Sequence, residues 1–423
     1  MLRILHTADW HLGQSFHGYD RDHEHGCFLK WLQGMLTERR PDALVIAGDV
    51  FDSVNPPASA QRLFYDFLAR AHTDHPGLQI LLIAGNHDAA GRLEAPAELL
   101  QSLNITTIGL IDRDDLGEIK IEKLLVPLKD ATGQVSGIAV AVPFLRPADV
   151  PAVSEAADAY LDGIRELYRR AVEAAKNLRE KLNPQAALLA LGHCHMQNGT
   201  ESRDSERRIV IGGAESLRAE IFPPELAYVA LGHLHKPQEL DGGRIRYCGS
   251  PIPLSFSEQD YDHRVLEVTF ENRLMTGVMA LPIPKSALLQ GVPRKAATIS
   301  EVLRILGETP FDATLPPEAQ PFLEVRVLDD GPDPTRRRCV EKVLEGKPVR
   351  LASIKLESPQ RPASQDGTVE ASMANLADLS TLDPEQIMAS AFKEKYHAEP
   401  DAEILRVLRE ILVTEASREV VTP

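Results

Sequence analysis

Short apolar runs alternate with amphipathic stretches over the first ninety or so residues. Residues 2–8 form one run, Ala43-Leu44-Val45-Ile46-Ala47 a second and Leu81-Leu82-Ile83-Ala84 a third. Runs of this length without polar alternation fit strands buried on both faces of a parallel sheet. Between them, residues 22–39 place Phe28, Leu29, Leu32, Met35 and Leu36 at helical spacing before Pro41-Asp42, and Leu63, Phe64, Phe67 and Leu68 mark a second amphipathic helix. The order predicts a βαβαβ unit with a parallel sheet and right-handed crossovers.

After Pro96 the strands shorten, as in Ala139–Val142, and a long charged helix is predicted from about Ser154 to Lys181. Two near-identical units follow, Leu188-Leu189-Ala190-Leu191-Gly192-His193-Cys194-His195 and Tyr228-Val229-Ala230-Leu231-Gly232-His233-Leu234-His235. Segments 244–248 and 264–270 read as strands on the far side of the same domain. Beyond Pro282, a strand at 322–328, an arginine-bearing helix at 336–344 and a strand at 349–356 predict a small α+β domain. The Ser-, Pro-, Ala- and Asp-rich stretch 358–382 reads as a linker. Asp383-Pro384 then starts two helices broken at Pro400, the second with an apolar stripe from Ile404 to Leu412. The expected division is thus 1–281, 282–357, 358–382 and 383–423.

The formal net charge of −16 argues against a chain that coats nucleic acid with a basic surface, although bound divalent cations or a basic partner would relieve that objection. Arg336-Arg337-Arg338 is expected to be a solvated helix face, with contact to phosphates as the alternative. No apolar run approaches the ~18–20 residues of a membrane span, and the N-terminal segment lacks the layout of a secretory signal. Cys27, Cys194, Cys248 and Cys339 are scattered with no C-x-x-C pair, so neither a disulfide framework nor a zinc ribbon is indicated. A cytoplasmic protein is expected.

Candidate chemistry sits at five strand ends: Asp9-x-His11, Gly48-Asp49-x-x-Asp52, Gly85-Asn86-His87-Asp88, Gly192-His193 and Gly232-His233-x-His235. Each piece alone is an ordinary polar turn or a histidine cap. Joined, and following strands of one apparent sheet, they are expected to converge on one rim. In an x-spaced pair the two side chains point to the same side of an extended end. Carboxylate, imidazole and amide-oxygen donors suit Mn²⁺, Fe²⁺ or Zn²⁺, and seven of them are too many for one ion and about right for two.

These motifs resemble those of calcineurin-like metallophosphoesterases. The words Ile4–Gly13, Ala47–Asp52, Pro143–Pro147 and Tyr247–Phe256 are similar to the SbcD-type nuclease subunits of bacterial SbcCD complexes. The likeness is close over residues 1–275 and one of layout thereafter. It implies an α/β sandwich of two mixed β-sheets flanked by helices, a small capping domain and C-terminal helices. It also implies two divalent ions, most plausibly Mn²⁺, one held by Asp9, His11, Asp49 and His235 and the other by Asp49, Asn86, His193 and His233, with Asp49 bridging. His87 is then the proton donor to the leaving oxygen and Asp88 the group that orients it. Asp52 is expected behind the ligands rather than among them. His195 departs from the pattern and is expected to stay off the metal. His6 reads as a strand histidine and His17, His23 and His25 as surface residues. The implied activity is DNA cleavage, by 3′→5′ exonuclease action on duplex ends and endonuclease action on single strands and hairpins. The implied partners are an SbcC-type ATPase, docked on the C-terminal helices, DNA, and a second copy of the chain. The sequence has no G-x-x-x-x-G-K-[ST] motif, so ATP dependence falls to the partner. Two other readings remain: a phosphodiesterase for small phosphate esters, disfavoured by the extra domains, and a non-catalytic scaffold, disfavoured by the full donor set.

Overall fold

The computed structural model describes residues 1–153, 158–202, 216–329, 331 and 333–357. The expected linker and C-terminal helices lie outside the described residues. In chain order the elements begin with β1 (Leu2–Thr7), the short ribbon β2 (Ser15–Phe16) and β3 (Tyr19–Asp20), α1 (Asp22–Arg39), β4 (Ala43–Ala47) and α2 (Ala58–Asp74). They continue with β5 (Gln79–Ile83), α3 (Ala90–Glu94), α4 (Ala97–Gln101), β6 (Ile105–Ile108), β7 (Leu125–Lys129), β8 (Val135–Ala141), α5 (Ala159–Leu182) and β9 (Ala187–His193). Then come β10 (Tyr228–Gly232), β11 (Gln238–Leu240), β12 (Ile245–Tyr247), β13 (Arg264–Glu271) and β14 (Leu274–Pro282). The last described are β15 (Leu289–Ala297), α6 (Ile299–Glu308), β16 (Phe322–Leu328), α7 (Arg336–Leu344) and β17 (Arg350–Glu357).

The strands build two mixed six-stranded sheets, one in the order β14-β13-β1-β4-β5-β6 and the other β11-β12-β10-β9-β8-β7. In the first, β1, β4, β5 and β6 are parallel and β13 returns antiparallel to β1. Alternate residues of each parallel strand feed two cores, because successive side chains leave opposite faces. Ile4, Val45, Ala47, Leu81 and Ile83 pack toward the second sheet, whereas Leu5, Leu44, Ile46, Ile80 and Leu82 pack under Phe28, Leu32 and Leu36 of α1 and Phe64, Phe67 and Leu68 of α2. Helix α5 covers the outer face of the second sheet through Ile164, Leu167, Tyr168, Ala171 and Ala175. It starts at Asp158, whose carboxylate accepts from the amides of Tyr160 and Leu161, satisfying two donors that a helix start leaves free. The resulting layers are helices, sheet, sheet and helix, an α/β sandwich.

Three sequence expectations change. The segments 244–248 and 264–270 are not on one far side: β12 joins the second sheet beside β10, while β13 joins the first beside β1. An apolar pattern marks a strand as buried but does not say which sheet receives it. The small domain is a parallel sheet β15-β16-β17 with two helices, and its core gathers Val302, Leu306, Val325, Val327, Val340 and Leu344. Strand β15 contains Gly291 and Pro293, which mask a strand pattern. In α7, Arg336 is buried with Nη2 donating to the Gly331 carbonyl at 2.9 Å, so only Arg337 and Arg338 form the solvated face. Among the described residues no helix is long and apolar enough to cross a membrane.

Candidate metal centre

The five loops come from both sheets, three from the ends of β1, β4 and β5 and two from β9 and β10, rather than from one sheet as the sequence suggested. The sheets face each other, so two rims meet instead of one rim being lined. Within the first sheet the loops zip together beyond the strands: the Asp9 amide donates to the Gly48 carbonyl and the His11 amide to the Asp49 carbonyl, each at 3.0 Å. Between sheets, the His233 amide donates to Asp9 Oδ1 at 2.8 Å and His193 Nδ1 to the Ala47 carbonyl at 2.9 Å. The approach is close enough that a Cβ on Gly232 would stand 2.1 Å from the Ala47 oxygen. A Cβ on Gly85 would stand 2.1 Å from Asp49 Oδ1. Asp9, His11, Asp49 and His233 have φ of 53°, 47°, 48° and 101°. Non-glycine residues held there cost about 1–3 kcal/mol each and cluster where geometry serves a function.

The donor atoms converge. Asp49 Oδ2 lies 3.6 Å from His11 Nε2 and 3.2 Å from His193 Nε2, between the two halves of the site. On one side, Asp9, His11 and His235 each bring a ligand atom within 4.8 Å of the others. On the other, Asn86 Oδ1 lies 3.0 Å from His193 Nε2 and 2.9 Å from His233 Nδ1. Asp9, His11, Asp49, His193, His233 and His235 are all buried, and Asn86 is half-buried.

The donor set fits divalent cations. The Ala47 carbonyl can only accept, so His193 carries its proton on Nδ1 and turns the Nε2 lone pair toward two oxygens. Lone pairs facing one another call for a cation or a proton between them. Without a cation the balance is met by protonation: burial alone would lower the His193 pKa, but Asp49 and Asp9 raise it to about 9. Asp9 Oδ2 and His11 Nε2 are likewise buried with no hydrogen-bond partner. Burial would also raise Asp49, yet His193, His11 and His87 hold its carboxyl far below the usual range. Burial pushes Asp9 up and His233 well down.

Behind the donors, three groups fix the imidazoles. Asp52 Oδ1 accepts from His11 Nδ1 at 3.0 Å, and Glu258 Oε1 accepts from His235 Nδ1 at 2.9 Å. The Ala47 carbonyl does the same for His193. Partners of this kind set the tautomer and aim the free nitrogen. Asp52 was expected behind the ligands; it contacts His11 Nδ1 and also converges with His11 and His87 as a group that could hold a cation. Glu258 was missed; its only signal is an acidic residue two positions beyond the apolar, turn-rich stretch 247–256.

His87 is half-buried, its ring centroid 4.7 Å from that of His11. Its Nδ1 donates to the Asp52 carbonyl at 2.9 Å, and its amide donates to Asp49 Oδ1 at 2.8 Å. Asp88 does not orient it. The Asp88 carboxylate instead accepts from the amides of Gly85, Phe51 and Val50 at 2.8, 2.9 and 3.2 Å, tying two loops together. An acceptor with two oxygens meets three convergent amides better than one imidazole. Burial and the charge of Asp49 push its pKa up to about 6. His195 pairs with Glu201 at 3.3 Å and belongs to none of the convergent groups among the described residues. His25 is fully buried, contrary to the surface position expected of it.

Residues 2–237 match the calcineurin-like phosphoesterase family, and residues 289–396 match the type 5 capsule protein repressor C-terminal domain (SbcD_C). A protein of Rhodobacter capsulatus, named as the D component of nuclease SbcCD, is 39% identical over 400 residues, 92% of this chain and 94% of that one. Its namesake in Escherichia coli K12 is 31% identical over 367 residues, 85% of this chain and 86% of that protein. The Bacillus subtilis namesake is 39% identical over 270 residues, 62% of this chain and 64% of its own length. The chain belongs to the calcineurin-like phosphoesterases and, among them, to the SbcD family of SbcCD nuclease components.

Proposed function

We propose that the chain is a two-metal-dependent DNA nuclease that hydrolyses phosphodiester bonds as a 3′→5′ exonuclease on duplex ends and an endonuclease on single strands and hairpins. The observation that carries this reading is the placement of Asp49 Oδ2 between His11 Nε2 and His193 Nε2, with further donors on either side. Asp9, His11, Asp49 and His235 would hold one ion, and Asp49, Asn86, His193 and His233 the other. Such a pair, Mn²⁺ in this proposal, polarises phosphoryl oxygens and generates a nucleophile from water near neutral pH.

The rest falls to the chain's own residues. Asp52, Glu258 and the Ala47 carbonyl keep three imidazoles aimed at the rim before substrate arrives. Since the Asp52 carbonyl takes the Nδ1 proton of His87, only the charged imidazolium has a proton to give from Nε2. Burial lowers the His87 pKa, and the neighbouring Asp49 opposes that; an incoming phosphate adds to the opposition. His87 is thus a donor to the leaving oxygen when phosphate is bound, and a charge-stabilising contact throughout.

The partner in this proposal is an SbcC-type ATPase that supplies ATP dependence and grips residues 383–423, whose stripe from Ile404 to Leu412 suits a helix-in-groove contact. The chain acts as a homodimer in the cytoplasm, with residues 282–357 capping the nuclease domain. The partner also answers the charge of −16, which leaves this chain little electrostatic hold on DNA alone.

The test is Mn²⁺-dependent cleavage of an end-labelled hairpin duplex by the full chain, with and without the ATPase, beside bis(p-nitrophenyl) phosphate. Hairpin cleavage that His87→Ala abolishes supports the reading. Turnover of the small ester alone, even with the ATPase present, replaces it with a small-molecule phosphodiesterase.

A further inference from the structure

We propose that Glu258 is a positioning residue for His235, and that the small sheet β15-β16-β17 helps hold it in place through Arg21. The inference rests on the two-ion reading above.

Glu258 is a fully buried carboxylate that looks in two directions. Oε1 accepts from His235 Nδ1, so the carboxylate holds the imidazole by that edge and sets its tautomer. Oε2 accepts from the Leu254 amide at 2.8 Å and from Ser250 Oγ at 3.3 Å. The aim of His235 therefore follows the position of the loop 250–258.

That loop is gripped from outside the nuclease sheets. Its Pro253 carbonyl accepts from Arg21 Nη1 at 3.1 Å, and its Leu254 carbonyl from Gln14 Nε2 at 3.1 Å. Its Phe256 packs with Phe16, Leu289 and Phe322. Arg21 is buried and pairs with Glu24 at 2.9 Å, its guanidinium 5.2 Å from the Phe322 ring. Arg350 stacks on the same ring at 3.6 Å and faces Glu24 at 3.9 Å. Phe322 opens β16 and Arg350 opens β17, so the seat of the small sheet and the loop behind His235 share one buried cluster. A cation taken out of water at such cost would be an extravagant spacer if it only filled volume.

The ligands of the two ions are backed differently. His11 and His235 have carboxylates behind them, His193 a carbonyl. Loss of Glu258 should therefore weaken one ion and spare the other. The experiment is a Mn²⁺ titration of the full chain, followed by calorimetry and by the spin resonance of the free ion, with thermal unfolding of the metal-free protein alongside. In Glu258→Ala one of two Mn²⁺ equilibria should weaken about 10–100-fold while the other holds. Glu258→Gln, whose amide oxygen still accepts, should recover part of the loss, and Arg350→Met should weaken the same equilibrium to a smaller degree.

A purely structural Glu258 would lower the melting temperature in all three variants and leave both equilibria unchanged, which overturns the proposal. Should Glu258→Ala fail to fold, unchanged Mn²⁺ binding in Glu258→Gln and Arg350→Met overturns it equally. Wild-type protein that takes up no Mn²⁺ removes the two-ion reading and this inference together. The predicted pattern in a chain that cuts no DNA leaves this inference standing and refutes the nuclease alone.

Discussion

His25 offers a direct measurement of what burial costs an ionisable group in this fold. It lies on α1, fully buried, and burial together with the nearby charge of Arg21 lowers its pKa to about 3 from an unfolded value near 6.5. The folded chain thus holds this imidazole neutral where the unfolded chain would protonate it. Its share of stability is complete above the unfolded pKa and is lost as pH falls below about 6.5, continuing until the folded pKa is reached. Each pH unit in that window removes about 1.4 kcal/mol, so moving from about pH 7.5 to about pH 5 costs about 2 kcal/mol through this one residue. Replacing it by a side chain that does not titrate removes that loss. Urea unfolding of wild type and His25→Gln in EDTA, followed by the fluorescence of Trp10 and Trp31, gives both stabilities at both pH values. The gap between the two proteins should shift by about 2 kcal/mol in favour of the variant on acidification. His6, also buried and lowered to about 3, supplies a similar slope in both proteins and cancels. Parallel pH dependences would mean that His25 is already solvated or charged in the fold, and the reasoning would fail.

Other consequences follow from the site. Asp88→Ala strands the amides of Val50, Phe51 and Gly85, and at about 1–3 kcal/mol for each unsatisfied donor the loss should reach at least about 3 kcal/mol; a calorimetric loss below about 1 kcal/mol would show that water replaces the carboxylate. Gly232→Ala forces the two sheets apart at the Ala47 carbonyl, so the soluble protein should bind fewer than two Mn²⁺ per chain; full stoichiometry by atomic absorption after desalting would contradict the close approach. Mn²⁺ at one hundred times its dissociation constant should stabilise the wild type by about 2.7 kcal/mol for each ion bound, read as a rise in melting temperature. His233→Ala should lose the part of that rise due to one ion.

The donors were legible because each follows an apolar run and a glycine, a local signature that needs no knowledge of the partner strand. The ends of α1 and β4 could be placed for a similar reason, since Pro41-Asp42 and Gly48-Asp49 interrupt the pattern. What escaped was set by tertiary pairing. Neither the allotment of β9 and β10 to a second sheet nor the return of β13 beside β1 is written in periodicity. Glu258 and Asp88 carry no local mark of their partners either. Asp88 follows His87 in sequence, which suggested a pair, but its carboxylate turns to three amides. Glu258 lies 23 residues from the imidazole it holds.

The meeting of two sheets also governs when the chain becomes capable of chemistry. Asp9, His11 and Asp49 leave the ribosome early, yet His193, His233 and His235 belong to strands made much later, and β1 gains its outer neighbour only when β13 emerges at Arg264–Glu271. Contacts of such sequence separation form late, after long loops have closed. A nascent or prematurely ended product therefore exposes the first loops without the donors that complete them. The full donor set is withheld until nearly the whole sandwich exists, so a half-made copy presents only the loops that follow β1, β4 and β5.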